Sequence, residues 1–354
     1  MKKINIGLIG AGNIIETRHL PALAVAKNRF NILGIIDQKQ EKAERLARKF
    51  KIPNWTACQD VKDLSSIKWM EDVDATIIAT PPMQHAELIQ ACLELGKHVL
   101  VEKPFVLDIE DGKAIVDYAL RRQLALAVNH NFQFSRSFCR CSRLIADGKL
   151  GDVQGFYCVQ FSGSLRRLPI WAEDLPLGLF YDESPHAFYL LRKFGGEELT
   201  INNVFCVPSA SNKNTPRTID ISIDANGIPS TIYCNFESPI SEWDFIVFGT
   251  KYIAIIDMFR DIIITLPNDG QHLMNEVFAS SFLSTVQHWL GFIHSGYNYI
   301  RNRLHYGIDI TQARFHTAIT TGDTNILENM AGSDGLAVNK AQHAVIKMSN
   351  LNGD

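Results

Sequence analysis

Residues 4–15, INIGLIGAGNII, decide the fold. A short apolar run without polar alternation reads as a strand buried on both faces. It ends at Gly10, and Gly10-Ala11-Gly12-Asn13-Ile14-Ile15 opens a helical pattern through ETRHLPALAVAKN. A strand, a glycine turn and a helix N-terminus together let backbone N–H groups cradle a pyrophosphate. Gly10 allows the tight turn, and Gly12 lets the backbone approach the phosphates. The third glycine position holds Ile15. The fingerprint is therefore incomplete, and simple turn glycines are the alternative.

The pattern continues downstream. NILGIID (31–37), VDATIIAT (73–80), HVLVE (98–102) and LALAVNH (124–130) read as strands. QKQEKAERLARKF (38–50), MQHAELIQACLELG (83–96) and DIEDGKAIVDYALRRQ (108–123) between them read as helices. This alternation predicts an α/β class, with a Rossmann, doubly wound parallel sheet over residues 1–130. Asp37 ends the second strand about 20 residues beyond the turn, where a carboxylate accepts both adenosine ribose hydroxyls and repels a 2′-phosphate. NAD is thereby favoured over NADP, which nearby Lys39 leaves open. A helix N-cap is the other reading of Asp37.

Residues 131–354 change style. TIDISID (218–224), an Asn226-Gly227 turn, STIYCNF (230–236), DFIVFGTKYIAIID (244–257) and DIIITL (261–266) alternate apolar with polar. They predict a C-terminal α+β domain with a large, mostly antiparallel sheet. Segments 275–296 and 310–322 read as helices on one face of that sheet. The free face, rich in isoleucine and aromatics, reads as an oligomer interface or as ordinary surface. After Gly332 only a terminal helix and a fraying end are expected.

A chain of 354 residues suits two domains. Its 35 basic and 38 acidic residues leave a formal charge of −3 without blocks of one sign. Nucleic acid and anionic membrane are therefore not expected as partners. No run approaches the roughly 18 apolar residues of a membrane helix, and the N-terminal segment lacks a signal cleavage site. Seven cysteines without paired spacing fit a reducing cytosol, so the reading is a soluble, cytoplasmic protein. Cys139 and Cys141 read as helix packing, and no metal site is expected.

VLVEKPF (99–105) poses a separate problem. Proline explains why the strand stops. Glu102 and Lys103 carry a solvation cost unless they meet partners or do chemistry. They stand at the carboxyl edge of the parallel sheet, as do Thr80, Pro81 and His85, where open α/β sheets bind ligands.

IGLIGAGNI (6–14), ATPPMQHAELIQACLELGKHVLVEKPF (79–105), VNHNFQF (128–134), LIADGKLGDV (144–153) and YDESPHAFYLL (181–191) together resemble the glucose-fructose oxidoreductase, inositol dehydrogenase and rhizopine catabolism (Gfo/Idh/MocA) family. The resemblance implies cofactor binding by Gly10, Gly12, Asn13, Ile14, Asp37, Thr80, Pro81, His85, Glu102, Lys103 and Asn131. It sets Lys103 beside the nicotinamide and the substrate hydroxyl, in a turn shaped by Glu102 and Pro104 through a commonly cis bond. Asp182 and His186 fall on the family's catalytic D-x-x-x-H positions. On residue type alone, Ser184 is an N-cap, Pro185 an N1 proline, Gly195 a stop, and Asp182 and His186 merely occupy a helix start.

The implied chemistry is hydride transfer between NAD(P) and a secondary alcohol or ketone of a sugar, sugar derivative or cyclic polyol. His186 serves as general base, Lys103 stabilises the developing alkoxide, and Asp182 orients the substrate. An NAD-dependent glycosidase and a non-catalytic nucleotide-sensing scaffold are the alternatives. A homodimer or homotetramer through the C-terminal sheet is implied as well. Pro176-Leu177-Gly178-Leu179, Gln133 and Tyr189 depart from the family pattern. Arg166, Arg167 and Trp171 could close over a sugar or an anionic group, or form a solvated loop.

Overall fold

The computed structural model describes residues 2–163 and 169–349, so Arg166 and Arg167 lie outside the described residues. Two compact units emerge, Met1–Asn131 with Gly307–Lys340, and Phe132–Tyr306 with Ala341–Asp354.

The first unit is built on β1 (Ile4–Ile9), β2 (Phe30–Asp37), β3 (Asn54–Ala57), β4 (Ala75–Ile78), β5 (His98–Val101) and β6 (Leu126–Val128). All pair in parallel, in the order β3-β2-β1-β4-β5-β6. This is a Rossmann sheet. β4 and β6 are buried along their whole length, which is why their sequences show no polar alternation. The helices are α1 (Leu20–Val25), α2 (Gln40–Phe50), α3 (His85–Glu94) and α4 (Ile109–Arg121). A π turn, Ile15–His19, precedes α1, and Ile15 at the missing-glycine position is fully buried. The sequence reading has no counterpart for β3, a short edge strand whose residues are half-exposed or exposed.

The second unit opens with α5 (Arg136–Ala146). Cys141 packs inside this helix, and burial pushes its thiol up to about 12. There follow β7 (Val153–Gly163), α6 (Leu179–Glu183), α7 (Pro185–Gly195), β8 (Leu199–Val207), β9 (Thr218–Ala225) and β10 (Ile228–Ser238). β11 (Glu242–Gly249), β12 (Tyr252–Asp257), β13 (Ile262–Pro267) and the long α8 (Met274–Ile300) complete it. The seven strands run β13-β12-β11-β7-β10-β9-β8, antiparallel except for the β7–β10 pair. Asn226 and Gly227 turn with φ of 57° and 83°, as a tight hairpin requires.

The expected division at residue 130 needs correction at the other end of the chain. α9 (Ile308–Thr321) does not cover the second sheet; it belongs to the first unit. α10 (Gly332–Met348) is no loose tail. Its Asn339 donates to Val106 O at 2.8 Å in the first unit, and its Gln342 donates to Tyr181 O at 2.7 Å in the second.

α9 is held by a buried polar network. Glu102 Oε1 accepts from His19 Nε2 and from Asn129 Nδ2, each at 2.7 Å. Asn129 Oδ1 in turn accepts from Thr311 Oγ1 at 2.8 Å, and the Gln312 amide donates to His19 Nδ1 at 3.2 Å. Thr311 and Gln312 are fully buried. Burial pushes the Glu102 carboxyl up, but His19, Lys103 and Asn129 outweigh it and hold the group below the usual carboxylate range.

A less comfortable pair lies in the second sheet, where Asp244 on β11 stands directly opposite Asp257 on β12. Arg260 serves Glu242 at 2.6 Å and Asp257 at 2.7 Å. Burial first, then Asp257 and Glu242, raise the Asp244 carboxyl to about 6.

Two predictions follow from these networks. Thr311→Val strips Asn129 Oδ1 of its donor and lowers stability by about 1–3 kcal/mol in urea unfolding. Thr320→Val, on the exposed side of α9, changes stability by less than about 0.5 kcal/mol; equal losses would refute the buried bond. The Asp244 pKa exceeds its unfolded value of about 3.9, so ionisation opposes folding above pH 6 and that penalty vanishes as pH falls through 6 towards 4. Asp244→Asn accordingly stabilises the protein more at pH 8 than at pH 4.5, and a pH-independent effect would contradict the assignment.

Candidate active site

Around the glycine turn, geometry follows from backbone requirements. Gly10 has φ +99°, and a Cβ there would stand 2.5 Å from Ala79 O at the end of β4. Only glycine fits this approach. A Cβ on Gly12 would meet nothing within 4 Å, so the loop opens outward there. Asn13 and Ile14 are exposed at the start of the helical turn, whose first N–H groups have no intrahelical acceptor. These residues fit a dinucleotide pyrophosphate.

Asp37 does not cap α2; Lys39 occupies that position, without a side-chain cap. The carboxylate instead accepts from Ala11 N at 2.7 Å through Oδ2 and from Lys39 N at 2.8 Å through Oδ1. It is thus fixed against the glycine turn while each oxygen keeps a further lone pair for a hydroxyl.

The turns after β4 and β5 are tied together by His85. Its ring is fully buried, with Nδ1 2.7 Å from Pro104 O and Nε2 3.0 Å from Thr80 O. Burial pushes its pKa down, against the opposing pull of the two carbonyls. The ring links the Thr80 and Pro104 carbonyls across the two turns. Glu102 is likewise turned inward, 9 % exposed. Lys103, half-buried at the carboxyl edge of the sheet, precedes a cis peptide bond to Pro104. Asn131 closes the segment, buried just beyond β6.

In the second unit, Gly178 (φ 54°) starts α6, and a Cβ on it would collide with Thr215. Ser184 keeps helical angles between α6 and α7, so Asp182 and His186, four residues apart, share one helical face. Ser184 makes no side-chain cap and accepts instead from Gln342 Nε2 at 3.0 Å. The helix stops at Gly196 (φ 89°) rather than Gly195, which is packed against Ala225. The His186 ring is 8 % exposed, with Nδ1 2.8 Å from Tyr189 Oη. Tyr189 Oη also accepts from Phe132 N at 3.1 Å. Phe132 meets the imidazole edge-on at 5.0 Å, and Trp243 lies 5.4 Å away. Such packing holds the ring in one orientation with Nε2 pointing away from its anchor.

Sequence reasoning missed His19, Asn129, Thr311 and Gln312 around Glu102, and Phe132 and Trp243 around His186. Their spacing carries no motif, although polar residues within apolar helical stretches were a signal. Among the described residues, no cluster of three or more His, Cys, Asp or Glu could hold a metal ion.

Residues 4–130 match the GFO_IDH_MocA family, described as an oxidoreductase family with an NAD-binding Rossmann fold. A scyllo-inositol 2-dehydrogenase (NADP(+)) of Bacillus subtilis is 25% identical over 65% of this chain and 62% of its own length. A dTDP-3,4-didehydro-2,6-dideoxy-alpha-D-glucose 3-reductase of Saccharopolyspora spinosa is 31% identical over 45% of this chain and 46% of its own length. The chain thus spans less than two thirds of these curated relatives. The WlbA dehydrogenase of Bordetella pertussis, solved with NADH and UDP-GlcNAcA, shares the fold with a TM-score of 0.75. It is 17% identical, with 99% of this chain and 97% of that one covered. Residues 4–130 thus match the Gfo/Idh/MocA oxidoreductase family model and form a Rossmann sheet.

Proposed function

We propose that the protein is an NAD(P)-dependent oxidoreductase that moves a hydride between the nicotinamide and a carbinol carbon of a sugar, sugar derivative or cyclic polyol. The observation that carries this reading is the Asp37 carboxylate anchored on Ala11 N beside an outward-opening glycine turn. A fixed negative charge there favours ribose hydroxyls over a 2′-phosphate, and so NAD over NADP. The sugar or polyol class is supported by the names of the relatives, an inositol dehydrogenase and a nucleotide-sugar reductase.

In this reading His186 takes the hydroxyl proton as the carbon gives its hydride to the bound nicotinamide. Tyr189 holds Nδ1 and so orients the ring. The Lys103 ammonium stabilises the alkoxide that develops, and Asp182 orients the substrate. In reverse, His186 returns the proton and a ketone is reduced. We place the protein in a reducing cytoplasm, which suits its free cysteines.

Titration with NADH and NADPH, followed by nicotinamide fluorescence, tests the cofactor half. NADH binds more tightly, and Asp37→Ala weakens NADH at least tenfold more than NADPH; equal losses would remove Asp37 from the ribose site. For the chemical half, sugars, inositols and nucleotide sugars are screened for turnover. Lys103→Ala and His186→Ala then each lower kcat by about 10²–10⁴-fold, with NADH affinity nearly unchanged. Full activity in either variant would overturn its assigned role. Cofactor that stays bound and never turns over, with release of an aglycone, would favour the glycosidase chemistry.

A further inference from the structure

Asp182 and His186 straddle a break in their helix. In a continuous helix the N–H of residue 185 closes on the carbonyl of residue 181. Residue 185 is a proline, which has no N–H and whose ring pushes against the carbonyl four positions back. Ser184 N still donates to Phe180 O at 2.8 Å, so the ladder holds up to the junction of α6 and α7. The rung that fails, 181 to 185, lies directly beside the pair 182 and 186.

α10 fills the gap. Gln342 is fully buried, and its Nε2 donates to Tyr181 O at 2.7 Å and to Ser184 Oγ at 3.0 Å. Both amide hydrogens are thereby used on the junction. The first bond goes to the very carbonyl that Pro185 deprives of its helical donor. Tyr181, Ser184 and Pro185 are buried as well, so an unmet carbonyl there would carry its full desolvation cost. A side chain that enters the hydrogen-bond ladder of a helix sets the bend at that point. β7 adds a second tie, with Gln160 Nε2 donating to Glu183 Oε2 at 2.9 Å.

We infer that Gln342 is a positioning residue for the hydride transfer: it stands in for the N–H that Pro185 lacks, fixes the bend between α6 and α7, and so sets Asp182 against His186. The inference rests on the roles given to those two residues above. On the α7 side, His186 is held by Tyr189 Oη at 2.8 Å and by the ring of Phe132. Asp182 lies across the broken rung, so its distance from the imidazole is governed by the junction. A misplacement of about 1 Å costs about 100-fold in rate when it reaches the reacting groups. A purely structural glutamine would instead lower stability and leave the chemistry of the folded protein unchanged.

The pairing of Pro185 with Gln342 supplies its own test, because Pro185→Ala returns the missing N–H. Gln342→Met keeps the volume of the side chain and removes both donors. On a sugar or polyol that wild type turns over, Gln342→Met lowers kcat at least about tenfold and leaves the Kd for NADH within about twofold. In the Pro185→Ala background the same change costs less than about threefold, since the restored N–H meets Tyr181 O. Val345→Ala, at a buried position three residues along α10, lowers the urea midpoint but not kcat. The NMR signal of the His186 ring, assigned with His186→Asn, reads the junction without substrate. It shifts in Gln342→Met, and the double variant matches Pro185→Ala alone. Equal losses in both backgrounds, a Val345→Ala enzyme as slow as Gln342→Met, or a His186 signal that Gln342→Met leaves in place would overturn the proposal. Should Gln342→Met not fold, rescue is read as folded protein recovered in the double variant, and its absence counts equally against the proposal. A wild type that turns over no sugar or polyol, with the His186 signal behaving as stated, would refute the oxidoreductase reading while upholding Gln342 as the residue that sets the junction.

Discussion

A carboxylate largely withdrawn from water governs the first unit. Glu102 follows the buried strand β5, and an ion in that position carries a desolvation penalty of several kcal/mol. Charge-assisted hydrogen bonds from His19, Asn129 and the backbone N–H of Lys103 offset it. Each partner comes from a different part of the chain: the π turn after the glycine loop, the end of β6, and the strand end itself. Their own remaining groups are met by Thr311 and Gln312 of α9. One buried charge thereby aligns the glycine turn, the Glu-Lys-Pro turn and a helix that arrives about 200 residues later. It also explains the Glu-Lys-Pro sequence, in which the glutamate is structural and the lysine beside it is set at the sheet edge.

The same division between anchoring and working groups recurs. His85 is spent on two backbone carbonyls, and the turns it joins carry Thr80, Pro81 and Lys103. Asp37 anchors on two backbone N–H groups yet retains acceptor capacity, because a carboxylate offers more lone pairs than a histidine offers nitrogens. In the second unit Tyr189 and the rings of Phe132 and Trp243 fix His186. Tyr189 leaves the imidazole hydrogen-bonded to an uncharged partner at Nδ1. Immobilising the residue next to a working group is how a fold reaches the sub-ångström placement that chemistry requires.

Late segments of the chain carry more than their composition suggests. α10 reads as a fraying end, yet Asn339 and Gln342 satisfy backbone groups in separate units. α8 reads as an ordinary packed helix, yet apolar side chains such as Phe282, Trp289 and Ile300 stand exposed along it. Amphipathic periodicity establishes that a helix has an apolar face; it carries no information on what that face will meet.

By itself the sequence determined the class of both sheets, since unbroken apolar runs and apolar–polar alternation follow from burial on two faces or one. It also determined the glycine turn and placed Asp37 at a strand end, because φ > 0 at Gly10 and strand termination are local properties. Only the tertiary structure decided the rest. The partners of Glu102, the burial of His85, the aromatic setting of His186 and the return of α9 to the first unit join residues far apart in the chain. Such contacts depend on which surfaces the fold brings together, and no spacing in the sequence records them.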